Sequence, residues 1–190
     1  MATVWYLHEL NDAPRSAALR MLEPILERSA WVADRAVDLR PFSSADDVAQ
    51  RLVDTILESG FEQRVALFRA HPELAGSEAA VGSMTEASTS EQSRLGLTSL
   101  EGKEAARLSS LNAAYVERFG HPFILALHRV PDLETVFDVF EQRLAASPVE
   151  EHVSTLAEIA SVITARAARA FGRGSGNPTP SLSAEEAANG

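Results

Sequence analysis

The sequence predicts an all-α protein, a compact single-domain bundle of about eight or nine helices over residues 1–171. Two observations carry this. Apolar residues recur three and four positions apart almost everywhere, the spacing that lines one helix face. β-Branched or aromatic runs with a period of two are missing, so no strand is expected. With 190 residues and 45% hydrophobic content the chain can bury one full core.

The first helix is expected from about Ala13 to Leu26, with Asp12 as N-cap, Pro14 in its first turn, and Ala18, Leu19, Leu22, Ile25 and Leu26 on one face. A short segment at SAWVADRAVDL follows and Pro41 closes it. Ser44 and Asp47 form a capping pattern for a helix to about Ser59, in which Val48, Leu52, Val53, Ile56 and Leu57 repeat at three and four. Gly60 ends it. The next helix, roughly Glu62 to Ala70, turns Val65, Leu67 and Phe68 inward and stops at His71, because Pro72 disfavours a helical residue before it.

Residues 76–90, rich in Ser, Thr, Gly and Ala, read as a loop of about fifteen residues, a length that usually has a job. A short helical turn at SEQSRLGL precedes a long helix from about Glu101 to Phe119, stopped by Gly120-His121-Pro122. PFILAL is too short to classify by period. Leu133 to Leu144 repeats Val136, Phe137, Val139 and Phe140. The last helix has Ser147 as N-cap, Pro148 at its first position and Glu150 completing a capping box, and runs to about Phe171 with Val153, Leu156, Ile159, Ala160 and Ile163 inward. Residues 172–190 have the Gly, Pro and Ser content of a flexible tail.

Composition removes several functions. Seventeen basic against 27 acidic side chains give a net charge of −10, which opposes binding to nucleic acid or an anionic membrane. There are no cysteines, so a disulfide framework, an iron–sulfur site and a thiol nucleophile are excluded. No apolar run approaches a membrane span and the first ten residues do not resemble a leader, so a cytoplasmic protein is expected. A phosphate loop, a Rossmann fingerprint and a GxSxG elbow are absent. No two of the five histidines have the helical spacing of a zinc site, so no metal is expected.

Three positions stand out. His71 ends a helix, where the macrodipole favours the imidazolium, and reads either as an acid–base group or as a plain C-cap bonded to the last carbonyls. In STSEQ, Ser88 or Ser90 reads as a cap with Glu91 and Gln92 in the first turn, either a simple cap or a placed carboxylate. Arg166 follows Ile159 and Ile163 by seven and three residues, on an inward face where a charge needs an anionic partner, either a structural ion pair or a substrate anchor.

Taken together, SAWVADRA at 29–36, HPELAG at 71–76, STSEQSRLGL at 88–97 and LNAAYVERFGHPFILAL at 111–127 resemble, in order and spacing, the 2-oxo-4-hydroxy-4-carboxy-5-ureidoimidazoline (OHCU) decarboxylase family. The likeness spans roughly Leu7 to Phe171, and the combination of HPELAG, SEQ and N-x-x-Y-x-x-RFG is specific where each piece is not. It implies an all-helical, usually homodimeric enzyme without metal or organic cofactor, acting at the last step from urate to allantoin.

By that resemblance His71, Glu91 and Arg166 match catalytic positions. Pro72, Ser88, Gln92 and the stretch His121, Pro122, Phe123, Ile124 and Leu125 match substrate contacts. The expected mechanism has His71, tuned by Glu91, exchanging a proton at the hydroxyl-bearing carbon while Arg166 anchors an oxygen of the substrate. Gln92 and backbone N–H groups of 123–125 would read the ureido group and ring amides. Two positions depart from the family pattern: His121 stands where an aromatic is common, and Arg129 near a common glycine. Two other readings remain, a related helical lyase on another ureido or carboxy-imidazoline compound, and a silent helical binding module in which Glu91 and Arg166 point away from His71.

Overall fold

The computed structural model describes residues 4–76 and 85–172. Its α-helices are α1 (Leu7–Asp12), α2 (Arg15–Leu22), α3 (Ala30–Ala36), α4 (Ala45–Leu57), α5 (Phe61–Arg69), α6 (Glu86–Arg94), α7 (Gly102–Phe119), α8 (Leu133–Leu144) and α9 (Pro148–Phe171), with no strand among the described residues. No described helix is long and apolar enough to cross a membrane. The expected tail, residues 172–190, lies outside the described residues beyond Gly172.

Where the sequence supplied complete caps, the helices begin as expected. Ser44 Oγ accepts from Asp47 N at 3.0 Å, and Asp47 in turn accepts from Ser43 N at 2.9 Å. Ser147 and Glu150 make the reciprocal box that opens α9, at 3.3 and 2.9 Å. Each such cap is worth about 0.5–2 kcal/mol. Gly120 adopts φ +75°, the left-handed conformation that ends α7 and turns the chain into the extended stretch before Ala126.

Three elements differ from expectation. In place of the single helix expected over 13–26 the chain forms α2 and a 3₁₀ turn at Glu23–Ile25, and a separate α1 precedes them, because Ala13 and Pro14 are both extended. A residue before proline avoids the helical region, so the chain breaks there. A helix also starts at Glu86, inside the stretch 76–90 expected as a loop. Thr85, with its hydroxyl accepting from Ser88 N at 3.2 Å, caps α6, so neither Ser88 nor Ser90 is the cap and Glu91 lies beyond the first turn. Residues 77–84 of that stretch lie outside the described residues. Finally, α9 turns Glu151 and Thr155 fully inward, whereas Val153 is exposed.

The side chains form two apolar clusters. The first gathers α1 to α5 around the C-terminal half of α9, with Leu22, Val32, Leu52 and Phe68 fully enclosed. The second gathers α7, α8 and the extended stretch, centred on Tyr115, Phe123, Phe137 and Phe140. Burying one large apolar side chain contributes about 1.5–3 kcal/mol. α9 packs along α4 and links the two clusters, since Ile159 and Ile163 belong to the first while Glu151 and Thr155 lie against the second. The seam between them is where polar side chains turn inward.

Candidate active site

A cavity with about 640 Å³ of empty space, the open solvent at its mouth included, lies on that seam. Its apolar wall comes from both clusters, with Ile56, Leu67 and Ile163 on one side and Leu74, Phe123 and Leu127 on the other. His71, Glu91 and Arg166 all line it.

His71 follows the last turn of α5, and Pro72 prevents that helix from continuing. Its Nδ1 lies 2.9 Å from Leu67 O. A carbonyl only accepts, so Nδ1 carries the proton and Nε2 keeps a lone pair. Burial pushes the imidazole below its ordinary pKa of 6.5, against the opposing effects of the Leu67 hydrogen bond and the charge of Glu27. The sequence expectation of a favoured imidazolium is therefore reversed, because desolvation outweighs the helix terminus. At neutral pH His71 is a neutral imidazole with a basic nitrogen.

Arg166 is 6% exposed and makes a fork with Glu91, Nε to Oε1 at 3.2 Å and Nη2 to Oε2 at 2.8 Å. Its Nη1 also donates to Glu27 Oε2 at 3.2 Å and its Nη2 to Ser88 Oγ at 3.3 Å. Burial works against its charge, but the hydrogen bonds and charges of Glu91 and Glu27 more than compensate and hold it protonated. Glu91 is likewise penalised by burial, yet Arg166 and Arg169, the latter donating at 3.0 Å, hold its carboxyl below the usual range. Glu91 is thus a partner of two arginines, and Glu27 is an acidic neighbour whose charge acts on His71.

The remaining candidates divide. Gln92 is buried and accepts from Ala75 N at 2.8 Å, and Asn112 donates to Leu74 O at 2.8 Å; together they pin the turn after His71. Pro72, Ser88 and Gln92 line the cavity, as do Phe123, Ile124 and Leu125. His121 and Pro122 do not line it. The His121 ring packs edge-on against Phe68 at 5.0 Å and Tyr115 at 5.6 Å, and burial lowers its pKa. Here an imidazole fills an aromatic place in the core, with its Nδ1 2.9 Å from Pro122 O. Arg129, the other departure, pairs with Glu158 at 2.7 Å, and Glu158 also accepts from Ala126 N at 2.8 Å.

The sequence model described as OHCU decarboxylase matches residues 11–168, most of the chain. The chain belongs to the OHCU decarboxylase family. It is 38% identical over 138 residues, 71% of this chain and 75% of the other, to 2-oxo-4-hydroxy-4-carboxy-5-ureidoimidazoline decarboxylase of Mus musculus. It is 30% identical over 171 residues, 90% of this chain but 33% of the other, to the uric acid degradation bifunctional protein of Bacillus sp.. Among solved structures it resembles (S)-allantoin synthase, with a TM-score of 0.68 and 26% identity over 85% of this chain and 52% of that one.

One residue on the wall of this OHCU decarboxylase family member escaped the sequence reading. Glu27 is 5% exposed and lines the cavity. It lies in the bend between the 3₁₀ turn and α3, outside any periodic element. Its only sequence signal is proximity to SAWVADRA, two residues further on. Among the described residues no group of three or more His, Asp or Glu side chains converges as metal ligands.

Proposed function

We propose that this protein is a carboxy-lyase that converts OHCU to (S)-allantoin at the close of urate degradation. The observation that carries this is the neutral His71 with its basic Nε2, facing the same cavity as the Arg166–Glu91 pair, in a chain of this family.

The substrate carries a carboxylate and a hydroxyl on C4, and a ureido group on C5, which is doubly bonded to a ring nitrogen. When CO2 leaves, the electron pair of the broken bond forms C4=C5 and the C=N pair moves to nitrogen, which takes a proton. The enol then loses its hydroxyl proton as C4 becomes a carbonyl, and C5 gains a proton. The new C–H therefore forms at the ureido-bearing carbon, next to the hydroxyl-bearing carbon first expected. His71 Nε2 is suited to take the hydroxyl proton and return it to one face of C5, and the Leu67 carbonyl steadies the transient imidazolium. The substrate supplies its own electron sink.

Arg166, already balanced by two carboxylates, is held rigid as a donor array. Phe123, Ile124 and Leu125 form the wall against which the ring lies. His121 acts on that wall indirectly, through Tyr115, whose ring packs against both His121 and Phe123.

A homodimer is part of this reading. Leu57, Phe61, Val149 and Val153 are exposed on neighbouring helix ends, and Phe61 stacks on His152 at 5.0 Å. A second copy would cover such a patch, and sedimentation would then give twice the 20.5 kDa chain mass.

The deciding experiment generates the unstable intermediate from urate in the assay and follows chirality. The wild type forms (S)-allantoin faster than the spontaneous racemate, and His71→Asn loses about 10²- to 10⁴-fold in rate while remaining folded. No stereochemical bias with the wild type would sink the assignment, and near-normal turnover of the variant would remove His71 from the mechanism.

A further inference from the structure

Among the described residues two buried side-chain oxygens have no hydrogen-bond partner, Glu27 Oε1 and Asn112 Oδ1. Of these two residues only Glu27 lines the cavity. A buried carboxylate oxygen without a donor is unfavourable, and such an atom on a cavity wall needs an explanation.

The rest of Glu27 is held firmly. Its Oε2 accepts from Ser88 Oγ at 2.6 Å, Thr85 Oγ1 at 2.9 Å and Arg166 Nη1 at 3.2 Å. The backbone is fixed as well: Leu26 is extended, Arg28 sits at φ +50°, and Ser29 Oγ donates to Glu27 O at 3.0 Å. Rotating the carboxylate to satisfy Oε1 would give up three donors, one of them charged. The site keeps one acceptor open.

We infer that Glu27 is a substrate-contacting residue whose Oε1 accepts a hydrogen bond from an N–H of the substrate's ureido group or ring amide. The inference rests on the decarboxylase reading above. Hydantoin-like rings with a ureido arm are rich in N–H donors, so the open acceptor matches their chemistry. Arg166 and Arg169 together balance Glu27 and Glu91, so this cluster as a whole offers no excess positive charge. Glu27 would repel the substrate carboxylate and turn the N–H edge of the ring toward itself. A site built to pair an N–H rejects an analogue lacking it, because the acceptor is then left unpaired.

Glu27→Gln isolates this role. The amide oxygen can keep the bonds to Ser88, Thr85 and Arg166, which places the NH2 where Oε1 was and turns an acceptor into a donor. Steady-state kinetics on freshly generated substrate should show KM raised at least tenfold with kcat changed less. As competitive ligands, hydantoin should bind the wild type at least tenfold more tightly than one of its N-methyl derivatives, and Glu27→Gln should lose that preference. An unchanged KM and preference in the folded variant would make Glu27 a structural anchor and overturn the inference, as would a loss confined to kcat. Should Glu27→Gln fail to fold, the wild-type comparison decides, since equal affinity for hydantoin and both N-methyl derivatives also overturns it. A wild type inactive on OHCU would instead sink the decarboxylase reading, and the hydantoin comparison would still decide the role of Glu27.

Discussion

Arg143 and Arg166 are buried almost equally, 8% and 6% exposed, and each is surrounded by acidic and hydroxyl side chains. Arg143 lies beneath the extended stretch. Its Nε donates to Glu151 Oε2 at 3.1 Å, its Nη2 to Glu151 Oε1 and to Thr155 at 3.1 Å, and its Nη1 to Ile124 O at 2.6 Å. Tyr115 and Thr155 both donate to Glu151 Oε1, so both oxygens of this carboxylate are paired. Burial and the Glu151 carboxylate push the Tyr115 hydroxyl above its ordinary range and keep it protonated.

Arg166 belongs to a cluster of similar composition but with one oxygen, Glu27 Oε1, left open on a cavity wall. The difference separates two uses of the same chemistry. A closed network fixes a backbone segment, here the one carrying Phe123 to Leu125. An open one holds a place for a ligand.

The largest expected effect breaks the closed network. Glu151→Ala leaves Arg143 buried without its carboxylate, which costs about 3–5 kcal/mol. Calorimetry should then show Tm lower by on the order of 10 °C for a chain of this size. A change of only a degree or two would mean that the network is not structural. Arg166→Met tests the other side. It should lower kcat/KM on the order of 10²-fold and cost less Tm than Glu151→Ala, because Arg169 stays on Glu91, Ser88 and Thr85 still donate to Glu27, and the cluster borders the cavity. An Arg166→Met protein that is as unstable as Glu151→Ala but retains its turnover would erase the distinction.

The smallest effect concerns pH. His71 has its folded-state pKa below 6.5, so between those two values the unfolded chain binds a proton that the folded chain does not, and stability falls as pH falls. The Glu91 carboxyl is held below its ordinary 4.5, so its contribution is present above that value and disappears as pH drops through the folded one. Tm should therefore decline in two stages on acidification, and His71→Asn should shrink the upper stage to the share that His121 and the other lowered histidines carry. The acid limb of kcat/KM should lie below pH 6.5. Activity that instead falls as pH rises through the His71 titration would show that His71 works as the imidazolium.

Legibility in the sequence followed locality. The boxes at Ser44 and Ser147 and the stop at Pro72 were readable because cap and helix are neighbours in the chain. Arg166 could be flagged as an inward charge in want of a partner, and the partners are Glu91 and Glu27. The closed network was missed because α9 was read from its apolar residues, which favoured Val153 over Glu151 and Thr155. A fully paired carboxylate carries no hydrophobic signal. His121 shared a motif with cavity residues, but Gly120 and Pro122 turn the chain there, so adjacency did not place its ring on the same wall.

By itself the sequence determined the helical class, most helix ends and the family, and singled out His71, Glu91 and Arg166 as candidates, because periodicity, caps and motif spacing are properties of nearby residues. Only the tertiary structure decided that His71 is neutral, that Glu91 serves the arginines, and that Glu27 joins them with one oxygen open. Those outcomes depend on burial and on partners up to 139 residues apart, which no local pattern encodes.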